Sequence, residues 1–515
     1  MTALPLAMRR RLATSAAQPA VLGGLVLLVL AFVLRAPYFG NPDYHVDEEF
    51  YFLVADQMWK GALPFTDIWD RKPLGLFLIY ALLRPLSGNS LIAVQIAALI
   101  FAWSTAMVVW LIARRQILPF NALIPAALYL ISLCAFGGQN AQSPVFYNLP
   151  MTLAAWLCLQ VAAAEDLRQL DRLALAIMTL VGIAIQIKYT ALFEGIFFGV
   201  FLLWRARHLS PTWKVLTTRA LFYAGFAIAP TVTILSIYMV IGEGWNFFFA
   251  NFISIFLRAR LDETYLTYLQ NNIVVRGLPL FLLSSAAAAN VLLLERPRHR
   301  DGLFLLGWSV AAVIGVCAIG NFYDHYALPM IAPLLALSTP LFAGFFPGLF
   351  FLTFLTLWNN PFHLSAKMRV NEASRTTISY LTRTALPYLD RGPLYIWDGP
   401  SILYVTTDST PPTRFAYPDH LSNDVERLAL DADTRSELER ILVQKPAIIV
   451  TSNQKIVPVY NTDTASLMSE ALRRDYRLLA RKPEGAGKRD YILNVRADLC
   501  PSCPAAPPLP PLQKR

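Results

Sequence analysis

The sequence predicts a polytopic α-helical membrane protein with a small α/β domain at its C-terminal end. The 515-residue chain is 56% hydrophobic and only 15% charged, where a soluble domain carries roughly 25% charged residues. Long apolar runs recur from about residue 20 to about residue 358. In lipid such runs become helices, because a helix satisfies its own backbone hydrogen bonds. From 366 to 499 charges spread throughout, and short β-like runs alternate with helical patterns, as in an α/β layer. The net charge of +10 lies largely in short clusters between apolar runs. A positive-inside bias explains it without any nucleic-acid partner.

The N-terminal segment 1–19 carries Arg9, Arg10 and Arg11 ahead of VLGGLVLLVLAFVL. No A-x-A-like cleavage site follows, so this reads as a cytoplasmic end and an uncleaved first helix. Further apolar runs fall at about 90–112, 118–136, 148–164, 173–187, 189–204, 217–241, 277–294, 303–319, 327–342 and 346–358. The run at 74–87 is short for a crossing, which takes about 20 residues. Positive clusters at Arg114-Arg115, 165–172, Arg205–His208 and 295–300 fall on one side if 74–87 is a partial helix. That leaves eleven full crossings, or up to thirteen with short segments counted, in a membrane domain of 20–360. Four segments then share the outer face: the opening loop 36–73, 137–148, the long loop 243–276 and 320–326.

In the C-terminal domain 366–499, residues 393–398, 447–452, 476–481 and 489–495 read as strands, and 376–389 and 425–443 as helices. The Pro-rich tail 500–515 is expected to be disordered. Its Cys500-Pro-Ser-Cys503 is a local disulfide, a metal half-site or neither. Cys134, Cys158 and Cys317 lie in apolar runs and read as small core residues.

The acids of this oily chain cluster in HVDEEFYFLVADQMWKGALPFTDIWDRKPLG, residues 45–75. Val46, Phe50, Leu53, Val54 and Met58 follow helical spacing, as in a short amphipathic helix lying along the interface. Asp47 at its start is either an N-cap or a general base at the membrane–water boundary. Asp70, Arg71 and Lys72 follow in D-x-x-D-R-K-P-L-G. Lys72 stands just before the next helix, either snorkelling to lipid phosphates or clamping a substrate phosphate. Asp56 and Asp67 read as ordinary surface residues.

The Asp47-Glu48 pair, the helix behind it and the Lys72-Pro73-Leu74 opening of the next helix resemble the GT-C glycosyltransferases. Within that superfamily the chain is similar to the branch of protein O-mannosyltransferases and the aminoarabinose transferase acting on lipid A. The resemblance runs over about residues 20–345 and is sharpest at 44–80. It implies an undecaprenyl-phosphate-linked sugar donor and transfer with inversion. Asp47 would deprotonate the acceptor, and Glu48 would orient it or ligate a divalent metal; no cofactor is otherwise implied. Cationic side chains stabilise the departing lipid phosphate. By the same resemblance Lys188, in QIKYT, and His325 and Tyr326, in GNFYDHYALPMIAP, join Lys72 and Arg71 at that phosphate, with Tyr323 and Asp324 in support.

Arg258 in the long aromatic loop is a substrate-binding candidate beside Asp70, and Asn148 is another. Many relatives carry a carboxylate in the second outer loop. Here GGQNAQSPVFYNLP offers Gln139, Asn140, Gln142 and Asn148. Amides orient a sugar hydroxyl but do not replace an acidic metal ligand, so the weight falls on Asp47 and Glu48. The expected setting is the periplasmic face of a bacterial inner membrane. The acceptor would be a cell-envelope glycan, a lipid A-type glycolipid or a protein. The alternatives are an oligosaccharide ligase using a lipid diphosphate, and a transporter or flippase.

Overall fold

A computed structural model describes residues 6–293, 299–318, 320–455 and 457–511. The chain divides into two compact units, residues 1–37, 97–230 and 267–364, and residues 38–96, 231–266 and 365–515.

The first unit is helical. Among the described residues six helical segments are long and apolar enough to cross a membrane: Val21–Tyr38, Ile92–Ala113, Trp213–Val240, Glu263–Leu293, Arg300–Ala318 and Asp324–Phe342. Leu123–Leu133, Ser143–Val161, Leu167–Ile185, Ala191–Leu209 and Phe345–Asn359 occupy the other apolar runs, shorter or more polar. The protein is therefore a multi-pass membrane protein. Ser143–Val161 packs against Leu167–Ile185 and Ala191–Leu209, and His299–Ala318 against Leu328–Ser338. Leu167–Ile185 approaches Trp213–Val240 backbone to backbone: a Cβ on Gly182 would lie 3.0 Å from the Ala227 carbonyl oxygen. The basic residues expected at 295–298 lie outside the described residues.

In the second unit, helix Val46–Trp59 is not the interfacial amphipathic helix that its spacing suggests. Every residue from Asp47 to Gln57 is buried, because Leu74–Leu83 and Ile402–Thr406 pack against the helix. Its N-cap is His45, whose Nδ1 accepts from the Asp47 backbone N–H at 3.2 Å. Asp47 is thus a first-turn residue rather than the cap. Asp56 is also no surface residue. It is 4% exposed and pairs with Arg84 at 2.6 Å and Lys60 at 3.1 Å. Leu74–Leu83 has 10 residues, about 15 Å of helix against a hydrocarbon core of about 30 Å. It has the length of a partial helix.

The C-terminal part of this unit holds a four-stranded sheet, ordered β1-β2-β4-β3, from β1 (Leu394–Ile396), β2 (Ile448–Ser452), β3 (Tyr476–Pro483) and β4 (Asp490–Arg496). β1 and β2 run parallel, while β4 is antiparallel to both β2 and β3. All five residues of β2 are buried, as a central strand covered on both faces requires. The helix expected at 425–443 is confined to Thr434–Val443, because the Asp433 side chain accepts from Ser436 N–H and starts the helix there. Cys500 and Cys503 form a disulfide. The tail is not the disordered segment its composition suggests: Leu478 N–H donates to the Pro504 carbonyl at 2.7 Å, and Leu509 is buried. Residues 512–515 lie outside the described residues.

Candidate active site

The second unit carries the acids. Asp47, Glu48 and Glu49 occupy the first turn of Val46–Trp59, where the helix dipole favours negative charge. All three are buried, Asp47 at 8% exposure. The Tyr417 hydroxyl donates to Asp47 Oδ1 at 3.0 Å, and the Tyr417 ring packs edge-on against Phe50. In the loop before the helix, the Tyr491 hydroxyl donates to Asp43 at 2.8 Å. Burial pushes the Asp43 carboxyl up to about 7. Burial, with the Asp43 charge second, pushes Glu49 well above the usual carboxylate range. Sites that keep a carboxyl protonated near neutrality while a neighbouring acid serves as base are a recurrent way of dividing roles.

The Lys-Pro end of the opening loop is built on C-terminal residues. Trp69 N–H donates to the Arg414 carbonyl at 2.8 Å, and its buried ring lies 4.8 Å from the His420 ring. Asp70 accepts the Arg71 N–H at 2.6 Å and lies 3.9 Å from Lys72 Nζ. Lys72 Nζ also stands 5.4 Å from the Tyr51 ring centre, close enough for a cation–π contact. Glu426 is 2% exposed and bridges Arg71 and Arg258, the latter at 2.7 Å. Burial opposes its ionisation, but the two guanidinium groups prevail and hold its pKa at about 2. Arg71 also reaches Ser254 Oγ at 3.3 Å, and Ala259 N–H donates to the Val425 carbonyl. Burial, reinforced by Arg71, keeps the His420 imidazole neutral, whereas burial and Glu426 push Asp419 up to about 7.

The first unit carries a small pocket lined by Tyr147, Lys188, Thr190, Glu194, Tyr326 and Pro329, among others. Lys188 Nζ lies 4.2 Å from the Tyr326 ring centre, and His325 packs edge-on to Tyr326 at 4.8 Å. Glu194, an acid inside an apolar helix, accepts from the Trp308 indole N–H at 2.5 Å. Asp324 is bound by Asn272 and Arg276, each at 2.7 Å, and the Tyr323 ring stacks on His325. Asn148 spends its amide on the Tyr129 hydroxyl and the Leu328 carbonyl, both at 3.2 Å.

Residues 71–234 match the family described as dolichyl-phosphate-mannose-protein mannosyltransferase. The fold is similar to that of ArnT from Cupriavidus metallidurans, solved bound to undecaprenyl phosphate. Its identity is 15% over 93% of this chain and 98% of that one, with a TM-score of 0.55. The chain shares the fold of ArnT. An Archaeoglobus fulgidus oligosaccharyltransferase tethered to an acceptor peptide is also similar in fold, at 11% identity over 92% of this chain and 74% of the other (TM-score 0.52). The same organism's AglB, in complex with an inhibitory peptide and a dolichol-phosphate, matches at 13% identity over 92% and 74% (TM-score 0.51). No curated protein sequence matches this chain.

Sequence reasoning missed Tyr417, His420 and Glu426, because they belong to a domain whose role no motif announces. Glu194 was within reach: an acid in ALFEGIFFGVF is an intramembrane ionisable residue, and these mark function by default.

Proposed function

We propose that this protein is an inverting glycosyltransferase using a polyprenyl-phosphate-linked sugar. The acceptor is a cell-envelope glycan, glycolipid or protein, on the periplasmic face of a bacterial inner membrane. The observation that carries the assignment is Asp47. It is a buried first-turn carboxylate oriented by the Tyr417 hydroxyl, with Glu48 beside it and Lys72 in the same unit. In this reading Asp47 takes the proton of an acceptor hydroxyl as its oxygen attacks the anomeric carbon. The bond from that carbon to the phosphate oxygen breaks, and the lipid phosphate departs with both electrons. Lys72 stabilises the developing charge. Arg71 and Arg258 reach a phosphate only in exchange for Glu426, so in the resting chain they hold the loops in place. Lys188, His325 and Tyr326 are assigned to donor phosphate binding, Asp70 to holding Lys72, and Tyr323 and Asp324 to shaping their turn. The undecaprenyl phosphate in the ArnT structure supports the donor class.

Asp47→Asn keeps the shape of the side chain and removes the base. Reconstituted with donor and acceptor, the variant is expected to bind lipid donor normally and to lose transfer by about 10²-fold or more. Unimpaired transfer would remove Asp47 from the role. The likeness to oligosaccharyltransferases keeps a second donor in play. Parallel assays with lipid monophosphate and lipid diphosphate donors separate the two. Movement of the lipid across liposomes without sugar transfer would replace both readings with transport.

A further inference from the structure

The turn between helices Leu123–Leu133 and Ser143–Val161 buries more amide than it satisfies. The Arg35 guanidinium holds its backbone, donating to the carbonyls of Gly138, Gln139 and Asn140. Gln139 Nε2 donates back to the Cys134 carbonyl at 2.9 Å. Among the described residues nothing hydrogen-bonds the other side-chain amide atoms. These are Gln139 Oε1, both atoms of Asn140 and both of Gln142, although Asn140 is 1% and Gln142 0% exposed. Asn148, next in the same sequence motif, donates its amide to two partners.

Buried polar groups in native proteins are almost always paired, and an unpaired one retains its whole desolvation penalty. Five such atoms within four residues form a group that a ligand would complete. Their chemistry selects that ligand. The turn's side chains are neutral donors and acceptors, and the Arg35 guanidinium is directed at the backbone carbonyls rather than at them, so the amides themselves offer an anion no cationic partner. Without a carboxylate the turn is poor for a divalent cation. An amide presents an acceptor and a donor side by side, which matches hydroxyl groups that do both.

Position adds the second half. A Cβ on Gly138 would come within 2.7 Å of Leu328 Cδ2, so the amide turn lies directly against the segment Asp324–Leu328. That segment also places the Tyr326 ring over Lys188. We propose that Gln139, Asn140 and Gln142 form a subsite for the uncharged sugar ring of the donor, next to the place assigned to its phosphate. This rests on the glycosyltransferase reading above.

The test compares wild type with the near-isosteric double variant Asn140→Leu, Gln142→Met. The probes are undecaprenyl phosphate and the same lipid phosphate carrying glucose, galactose, mannose, N-acetylglucosamine or arabinose. Melting temperature and affinity are both read in detergent. Wild type is expected to bind at least one sugar-bearing lipid about tenfold or more tighter than the sugarless one. The variant should lose that preference, keep its affinity for sugarless lipid, and melt no lower than wild type, since unpaired buried amides have been removed. A lower melting temperature with the sugar preference intact would show structural amides and overturn the subsite. Equal weakening for sugarless lipid, or no sugar preference in wild type, would also overturn it while leaving the donor class standing. Failure of wild type to bind any of these lipids would defeat the donor reading itself.

Discussion

At the scale of single residues, the acids of the opening loop separate by what surrounds them rather than by where they stand in the sequence. Asp67 is exposed, Asp56 is neutralised by Arg84 and Lys60, and Asp47 receives a tyrosine hydroxyl. Removing that hydroxyl with Tyr417→Phe leaves the ring packing against Phe50 intact. Steady-state kinetics should show kcat falling about tenfold, with KM for the donor little changed, as for a lost positioning hydrogen bond of about 1.4 kcal/mol. An unchanged kcat would make the contact incidental.

Asp43 and Glu49 are buried acids whose folded pKa values are raised, chiefly by burial. As pH rises above about 4, the unfolded chain loses these protons while the folded chain keeps them, so stability falls with pH until Asp43 titrates near 7. Asp43→Asn should raise the melting temperature at pH 8 and flatten its decline between pH 4 and 7, read by thermal melts in detergent. Glu426 acts in the opposite sense. Its depressed pKa makes its contribution present above about 4.5, and that contribution fades as pH falls toward 2.

At the scale of elements, apolar periodicity recovered most helices, since a run that must satisfy its backbone in lipid has one economical conformation. All four strands of the C-terminal sheet appeared near their expected places, because short apolar and aromatic runs bounded by turn residues are local signals. What failed were statements about faces. Val46–Trp59 looked amphipathic because its apolar spacing is helical; its polar side is buried against Ile402–Thr406 and Tyr417, hundreds of residues away in the chain. The turn before this helix depends on Gly40, which adopts φ +69°, and whose Cβ would fall within 2.4 Å of the Arg375 guanidinium. Arg375 donates to the Gly40 carbonyl at 3.1 Å. Gly40→Ala combines left-handed strain with that clash. It should cost about 2 kcal/mol or more, visible as a several-degree drop in melting temperature. A stability equal to wild type would show that the Arg375 contact yields freely.

At the scale of the whole molecule, the proposed orientation puts the C-terminal domain outside the cytoplasm. The Cys500–Cys503 disulfide agrees with an oxidising compartment. An alkaline phosphatase fused after residue 511 should be active in bacterial cells, and one fused in the loop at 165–172 inactive. The reverse pattern would invert every assignment of side.

Residue order alone reveals the membrane class, the multi-pass helical plan, the C-terminal sheet and the Asp47-to-Lys72 segment as the place to look. Those features are local: hydropathy, spacing and a short motif are written within tens of residues. The three-dimensional packing settles which acids are neutralised, that Tyr417 and Glu426 bear on the opening loop, and that, among the described residues, the Asn148 amide has partners while the Asn140 and Gln142 side chains have none. Those outcomes depend on contacts between residues up to several hundred positions apart, and a side chain's charge and hydrogen bonding follow from the neighbours that folding brings to it.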